Sequence, residues 1–302
     1  SNAVTTHPSI VKALASLVLE AGATAVIVDS PGGQYTAGLL KRIYSVCGME
    51  EVAEKTGAEL NYDLSRCETD NPSGKYLKKT TVIKPLVDAD LIINLPKLKT
   101  HGQMVYTGAV KNMFGAVPGT LKAEYHLRMA EYEKFADALI DIFLSVKPTL
   151  NIMDAVVGME GYGPSAGNPR DIGLIIASEN AFELDMTALN IINANPYWVP
   201  VLKNAVLREL CPESISHIDI AGEDIDRVKI KDFDIPQLEN LKDILFFKNK
   251  YIKALISGIK PRPVFNHSSC TGCSHCAANC PAHIIEMKDG KPQADLSKCI
   301  HC

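Results

Sequence analysis

Six cysteines crowd the last 33 residues of this 302-residue chain, at a spacing suited to iron–sulfur chemistry. "CTGCSHCAANCP" spaces its thiols as C-x2-C-x2-C-x3-C-P, and "CIHC" begins a second such run. Short spacings let the thiolates of one loop reach neighbouring irons of a cluster, and the proline turns the chain away after the last ligand. Disulfides and a zinc site are the alternatives, but the run offers more thiols than one tetrahedral zinc ion can bind. The spacing therefore predicts 4Fe-4S clusters as cofactors, held by Cys270, Cys273, Cys276, Cys280, Cys299 and Cys302.

This spacing resembles that of bacterial two-cluster ferredoxins. In that family the first three cysteines of each run hold one cluster, and the fourth crosses to the other. The resemblance implies a first cluster on Cys270, Cys273 and Cys276 and a second on Cys280, Cys299 and Cys302. One further ligand for each cluster would then follow Cys302, so we expect a ferredoxin-like module that is cut short in this sequence. Such clusters imply a reducing compartment, which favours the cytoplasm.

A second distinctive stretch is "LIINLPKLKTHGQMVYTGAVKNMFGAVPG", residues 91–119, where an apolar run ends at Pro96. From residue 75 to residue 111 the chain has seven lysines against two acidic residues, a local balance of +5 in a chain of formal net charge −4. This excess predicts an anionic ligand, a carboxylate or a phosphate. We predict that Lys97, Lys99 and Lys111 bind it and that His101 moves a proton or binds a metal. A solvated surface is the alternative, chiefly for the four earlier lysines.

The composition, with 46% hydrophobic and 22% charged residues, is typical of an ordinary soluble protein. No apolar run approaches the ~18 residues that a membrane span requires, so we expect no membrane-spanning segment. The net charge of −4 gives no reason to expect nucleic acid as a partner. The opening Ser1-Asn2-Ala3 resembles the remnant of a cleaved expression tag, and we leave it out of the fold prediction.

Apolar runs alternate with amphipathic segments in the rhythm of an α/β fold. The segments that predict strands are "AVIVD" (Ala25 to Asp29), "TTVIKP", "ADLIINLP", "TLNIMDAVVG", "DIGLIIAS", "HIDIAGED" and "RVKIKDF". Helices are predicted at residues 8–21, over "TAGLLKRIYSVCG", and at about 127–146, 180–194, 198–210 and 236–257. Near-continuous apolar strands separated by helices predict a mostly parallel sheet with helices on both faces.

Three glycine-rich polar loops directly follow predicted strands. They are "DSPGG", the stretch from Pro96 to Gly119, and "MEGYGPSAGNP". Since parallel strands direct their carboxyl ends to one edge of a sheet, the three loops are expected to converge there. His126, Asp154 and Glu160 are further candidates to join His101 at this edge. None of the loops matches a dinucleotide or P-loop pattern.

Five blocks in order, "TTHPSIVKAL", "DSPGG", "LPKLKTH", "TGAVKNMFGAVPG" and "GMEGYGP", resemble the family catalogued as "domain of unknown function 362". The resemblance covers nearly all of the chain before residue 260, and members often carry a C-terminal ferredoxin module. It implies an α/β domain at residues 4–258 and the iron–sulfur module at 261–302. Members usually have a further strand ahead of "TTHP", so the chain resembles a version trimmed at both ends. A more distant likeness to nickel-dependent lactate racemases suggests small-carboxylate chemistry, although their cofactor-attachment residues find no match.

These observations favour an iron–sulfur oxidoreductase or electron-transfer protein of the cytoplasm, acting on a small anionic ligand with a redox partner protein. Two alternatives remain open. One is a non-redox or metal-dependent carboxylate-binding enzyme whose cluster is structural. The other is an assembly factor that carries a cluster or a metal ion to a partner.

Overall fold

Helices and sheets of the chain are described by a computed structural model at residues 3–129, 131–236, 263–278, 280 and 284–296. The helices are α1 Pro8–Glu20, α2 Ala37–Val46, α3 Met49–Thr56, α4 Pro85–Asp88, α5 Ala109–Asn112, α6 Gly119–Arg128, α7 Tyr132–Val146, α8 Ala181–Ile191, α9 Pro200–Leu207, α10 Ile225–Val228 and α11 His275–Ala278. The strands are β1 Val26–Ile27, β2 Glu59–Leu60, β3 Arg66–Asp70, β4 Lys79–Ile83, β5 Ile93–Asn94, β6 Lys97–His101, β7 Val105–Thr107, β8 Leu150–Glu160, β9 Asn168–Ser178, β10 Ile285–Lys288 and β11 Lys291–Ala294. This mixture confirms the α/β class.

The main sheet is organised around β8, its central strand. β5 and β6 both run parallel to β8 along one edge, as successive pieces of a strand interrupted at Leu95 and Pro96. β9 runs antiparallel along the opposite edge, and β7 folds back antiparallel onto β6. The predicted parallel pairings are therefore present at β8, and antiparallel strands extend the sheet on both sides.

The principal core lies where α7 and α8 pack with β8. α7 has an apolar face because large aliphatic side chains recur at helical spacing. Asn180 begins α8 by accepting hydrogen bonds from the backbone N–H groups of Phe182 and Glu183, as expected for an N-cap. The fully buried side chains of this core include Leu139, Ile140, Ile142, Met153, Leu184 and Met186.

A smaller unit is formed by the first 60 residues. β1 pairs with β2 in parallel, and α1, α2 and α3 pack together around the buried side chains of Leu40, Tyr44 and Val52. The Tyr44 hydroxyl donates to the backbone oxygen of Asn61 at 3.2 Å. This unit carries the "DSPGG" loop, which follows β1.

Several predicted elements are wrong. "HIDIAGED" and "RVKIKDF" form no strand; a 3-10 turn at Ile215–His217 includes the first residue of the former, and α10 includes the first two residues of the latter. Ser214 and Asp224 accept backbone hydrogen bonds that start these two turns, and such local bonds compete with strand pairing. The helix predicted at about 127–146 divides into α6 and α7. β3, which pairs antiparallel with β4 outside the main sheet, was not predicted, and the helix predicted at 236–257 lies outside the described residues.

Near the C-terminus, β10 and β11 form an antiparallel hairpin. Asp289 and Gly290 form its turn, and both have positive φ values, 51° and 72°. Two consecutive left-handed residues match the twist of a tight hairpin, and Asp-Gly is a favoured pair for it. The described cysteines precede this hairpin, and two of them lie just before and within α11.

Candidate anion-binding site

The three glycine-rich segments meet around β6. The backbone N–H of Gly102, just after β6, donates to the oxygen of Gly163 in the "GYGPSAG" segment at 3.0 Å. A Cβ atom on Gly119 would lie 2.3 Å from the Pro31 oxygen and 2.6 Å from the Gly33 oxygen. Only glycine lets the "DSPGG" loop approach the start of α6 so closely. The convergence expected for these segments is present, although the predicted loop from Pro96 is wrong because residues 97–101 form strand β6.

Lys97 lies inside the fold and already has an anionic partner. Its ammonium group lies 2.7 Å from an Asp154 carboxylate oxygen, and the two side chains are 5% and 0% exposed. The same carboxylate oxygen accepts the backbone N–H of His7 at 2.8 Å. Because the charge of Lys97 is matched by a buried carboxylate, a structural role accounts for this lysine.

Lys99, Lys111 and Lys122 form a cluster of partly buried amines, which we call the lysine cluster. Burial, together with the smaller effect of the Lys99 and Lys122 charges, lowers the pKa of Lys111 to about 7. Burial also lowers the pKa of Lys122, to about 8, while the Asp29 carboxylate acts in the opposite direction. The pKa of Lys99 is lowered by burial too, again opposed by Asp29. The three side chains are therefore close enough for their charges to interact.

The hydrogen-bond partners of the three lysines differ. Lys99 donates to the Val4 oxygen at 2.7 Å, and Lys122 donates to the Ser30 oxygen. The Lys122 ammonium group also lies 5.7 Å from the centre of the Phe114 ring. The Lys111 ammonium group makes no hydrogen bond or ion pair with the residues that the structure describes. Lys111 is thus the member of the cluster whose amine remains available.

The backbone around Lys111 is held on both sides. The N–H groups of Ala109 and Val110, at the start of α5, donate to the Asp185 carboxylate at 2.6 and 3.1 Å. On the other side, the Asn112 amide donates to the Asn94 amide oxygen at 2.7 Å. Burial raises the pKa of Asp185 to about 7, and the two backbone donors oppose that rise. These contacts fix the short helix from which Lys111 projects.

His101 is a neutral imidazole in this environment. Burial lowers its pKa to about 2, and the charges of Lys111, His126 and Lys99 act in the same direction. Its Nδ1 atom accepts the backbone N–H groups of Gln103 at 3.1 Å and Met104 at 3.3 Å. We therefore assign the proton to Nε2, which makes His101 a hydrogen-bond donor and not a cation.

Two further features surround the cluster. The hydroxyl groups of Ser30 and Thr100 are buried and make no hydrogen bond with a described residue. Val105, which follows β6 in the hairpin, has φ of 66°, a conformation that costs energy for a β-branched residue. Asp29 and His126 are exposed, so the lysine cluster lies near the surface.

Residues 1–190 match the model of a family described as "Domain of unknown function (DUF362)". The chain belongs to this family. The match confirms the resemblance that the five sequence blocks indicated, over the part of the chain that contains the lysine cluster.

Two relatives extend the comparison of this DUF362 chain. The thylakoid-associated protein sll1697 of Synechocystis sp. (strain ATCC 27184 / PCC 6803 / Kazusa) is 34% identical over 203 residues, which are 65% of this chain and 60% of that protein. The uncharacterized protein MJ0726 of Methanocaldococcus jannaschii is 40% identical over 60 residues, 20% of this chain and 26% of that protein. The alignments thus span 60% and 26% of the two relatives. No solved structure matches the chain.

Four of the six candidate cluster ligands of this DUF362 protein are described. Cys270 and Cys276 are partly buried, Cys273 is exposed and Cys280 is buried, whereas residues 299 and 302 lie outside the described residues. Within the described ranges, no three histidine, cysteine or carboxylate side chains are grouped closely enough to hold a metal ion. In the same ranges, no helix is both long and apolar enough to cross a membrane.

Sequence reasoning singled out Lys99, Lys111 and His101, which the fold brings together, but it missed Lys122 and Asp29. The sequence signal for Lys122 is weak, because it is one lysine near the start of an ordinary polar helix. Asp29 opens the "DSPGG" loop, but nothing in that motif indicates that it would face lysines some 70–90 residues further along the chain. Of the other candidates, His126 joins the site, Asp154 binds Lys97, and Glu160 accepts the backbone N–H of Asp234 at 3.2 Å.

Proposed function

We propose that this protein binds a small anionic ligand, a carboxylate or a phosphate, at the lysine cluster. We propose further that it is a cytoplasmic iron–sulfur oxidoreductase or electron-transfer protein acting on that ligand. The observation that carries the proposal is the grouping of Lys99, Lys111 and Lys122, whose charges repel one another and form no ion pair with a described carboxylate. The exposed Asp29 offsets this repulsion only in part.

An anionic ligand would remove the electrostatic cost of this arrangement. Burial disfavours the charged form of each lysine, and each neighbouring ammonium group disfavours it again. An anion placed between them reverses the second effect, since opposite charges at close range favour the ionised forms. A carboxylate or a phosphate also offers several oxygens, which several ammonium donors can share.

His101 is suited to orient such a ligand. Its neutral ring can donate one hydrogen bond from Nε2, and its Nδ1 atom is held by the backbone of Gln103 and Met104. An imidazole fixed in this tautomer adds direction to a site in which the lysines supply charge. A proton transfer by His101 would have to use the neutral ring, because its pKa is lowered to about 2.

The cysteine segment supports the redox part of the proposal. The Gly272 N–H lies 3.4 Å from the Cys270 sulfur and donates to it. The pKa of Cys273 is lowered by the backbone N–H of His275 and by the Thr271 hydroxyl. The lowered pKa of Cys273 favours its thiolate, the form that binds iron, and Gly272 turns the loop with φ of 73°. A bound 4Fe-4S cluster would supply one-electron transfer at these cysteines.

The thylakoid-associated relative does not change the compartment that we propose. Iron–sulfur ligands of this kind need reduced thiols, and the described cysteines are free. We therefore retain the cytoplasm as the proposed location, with a redox protein as partner. Cell fractionation of the native host with an antibody to this chain would test the location.

The test is anaerobic purification of the full-length native protein, with iron and sulfide quantitation and EPR spectroscopy. We expect cluster iron in the parent protein and a marked loss in Cys273→Ser. Cys47→Ser, which changes a cysteine far from the run, is the control and should keep its iron. Equal iron in the parent and Cys273→Ser would remove the iron–sulfur assignment.

Ligand binding is tested separately by thermal stabilisation with phosphate, oxalate and pyruvate. An anion that binds the folded state stabilises it by RT ln(1 + [L]/Kd), so the melting temperature rises with ligand concentration and with affinity. We expect the rise to disappear in Lys111→Met and to persist in Lys41→Met, because Lys41 is exposed on α2. If dithionite does not reduce the cluster while the protein still binds the anion, the cluster has a structural role.

A further inference from the structure

We propose that Lys111 is a nucleophilic amine that forms an imine with its ligand, and that this ligand is a small anion bearing an aldehyde or ketone carbonyl. The inference rests on the anion-binding function proposed above and names the class of ligand. Lys99, Lys111 and Lys122 lie in one cluster but differ in their contacts.

Lys99 and Lys122 are placed to remain charged. Each donates to a backbone oxygen, of Val4 and Ser30 respectively, and each interacts favourably with the Asp29 carboxylate. A carbonyl oxygen and a nearby carboxylate both stabilise an ammonium group. These two side chains therefore suit the anionic group of the ligand.

Lys111 is placed to be a free amine. Its amine donates to no described residue, its surroundings are largely protein, and its two charged neighbours are both cations. Its pKa of about 7 leaves a large fraction of the amine unprotonated near neutral pH. A lysine that is desolvated and lies beside another cation is a recognised way to activate an amine for attack on a carbonyl.

Hydrogen bonds on both sides of Lys111 hold this residue in a fixed position. Asp185 fixes the backbone before it, and the hydrogen bond to Asn94 holds the Asn112 side chain after it. Asn94 in turn donates to the Asn151 oxygen at 2.9 Å on the central strand β8. A nucleophile on such a rigid element keeps its distance from a ligand held by the two flanking ammonium groups.

The proposed step balances without any oxidant or reductant. The Lys111 nitrogen attacks the carbonyl carbon, a C–N bond forms, and the carbonyl π electrons move to oxygen, which takes a proton. The added nitrogen loses one proton, which balances the proton taken up by the oxygen and gives a neutral carbinolamine. The hydroxyl then leaves as water with a proton from the ammonium group of Lys99 or Lys122, and the protonated C=N bond that forms returns its remaining proton to that lysine. The net change is one amine and one carbonyl converted to one imine and one water.

Reductive trapping tests the proposal on the wild-type chain. The protein is incubated at pH 7.5 with cyanoborohydride and pyruvate, glyoxylate or glyceraldehyde 3-phosphate, and the adducts are mapped by peptide mass spectrometry. We expect modification of Lys111 at least about tenfold faster than modification of the exposed Lys41, because a much larger fraction of its amine is unprotonated. The oxo acids and the phosphate ester distinguish a carboxylate from a phosphate as the anionic group.

Two controls sharpen the test. Glyceraldehyde without phosphate carries the carbonyl but no charge, so its preference for Lys111 over Lys41 should be much weaker than that of glyceraldehyde 3-phosphate. Lys111→Arg keeps a cation but cannot form an imine, so trapping at this position should vanish while labelling of Lys41 is unchanged. An adduct that depends on both the carbonyl and the anionic group supports the proposal.

The outcomes separate this inference from the function on which it rests. Stabilisation by unreactive phosphate or oxalate, with no excess of adducts at Lys111 over Lys41 for any probe, would overturn the imine and leave anion binding standing. If no anion stabilises the protein and Lys111 shows no selective adduct, both proposals fall. Selective trapping with uncharged glyceraldehyde as fast as with its phosphate would overturn the anionic part of the ligand assignment.

Discussion

Replacing Lys111 with methionine is expected to stabilise the ligand-free protein near and below neutral pH. Methionine retains much of the aliphatic side chain and removes a charge that is surrounded by protein and by two other cations. The pKa of Lys111 falls from 10.5 to about 7 in the folded protein. At 1.36 kcal/mol for each pKa unit, the charged form costs up to about 5 kcal/mol at low pH. Since partly buried groups relax and admit water, we expect about 2–3 kcal/mol of this to appear as stabilisation.

The effect has a defined dependence on pH. The pKa of Lys111 is lower in the folded than in the unfolded chain, so between about pH 7 and 10.5 the unfolded chain binds the extra proton. The free energy of unfolding of the wild type therefore rises with pH through this window. The advantage of Lys111→Met should be greatest at pH 6 and should shrink by pH 9.5. Lys122, with a pKa of about 8, contributes a trend of the same sign in both proteins.

Thermal melts of the wild type and Lys111→Met at pH 6 and pH 9.5 measure the effect. With about 2–4 °C for each kcal/mol in a domain of this size, the variant should melt about 5–10 °C higher at pH 6. Lys41→Met is the control and should change the melting temperature little at either pH. An advantage of Lys111→Met that is the same at both pH values, or a lower melting temperature at pH 6, would refute the electrostatic account of the cluster.

Two further substitutions separate structure from binding. Lys97→Met should destabilise the protein by about 3–5 kcal/mol, because it leaves the Asp154 carboxylate buried without its partner, and adding Asp154→Leu should recover much of that loss in a urea titration. Gly119→Ala should weaken anion binding, because its methyl group would meet the Gly33 oxygen at 2.6 Å and displace the "DSPGG" loop. Gly38→Ala, where a methyl group meets nothing within 4 Å, is the control and should leave calorimetric affinity unchanged. Equal affinity for both glycine variants would exclude the loop from the site.

Local pattern was enough to predict the elements whose sequence and environment agree. Continuous apolar residues predict the strands β8 and β9. The sequence also predicts the helix α8, which Asn180 caps at its N-terminus. "HIDIAGED" has similar alternation but no partner strand in the described chain, and Ile220 remains 40% exposed. Strand formation needs a neighbour that pairs with it, and no local pattern supplies one.

The different partners of Lys97 and Lys99 could not be predicted from their positions in the sequence. Both precede the same hairpin and lie two residues apart in β6. Between them the pairing with β8 shifts, from Lys97 opposite Asp154 to Lys99 opposite Met159. This irregularity places Lys97 beside a buried carboxylate, while the Lys99 ammonium group meets the Val4 oxygen instead. Lys97 and Asp154 are 57 residues apart in the sequence. The pairing register between their strands decides which partner each lysine meets, and the local sequence does not reveal that register.

Among the described residues, Lys111 differs from Lys97 and Asp141 in having no partner for its charge. Asp141 accepts three backbone N–H groups and the Arg208 guanidinium at 2.8 Å, and Lys97 is matched by Asp154. A chain that satisfies its buried charges so fully elsewhere is under no general constraint to leave Lys111 without a partner. The rigid support of α5 by Asp185 keeps that lysine in place against the repulsion of its neighbours. Repulsion between neighbouring charges that a well-satisfied scaffold holds in place is the physical pattern expected at a functional site.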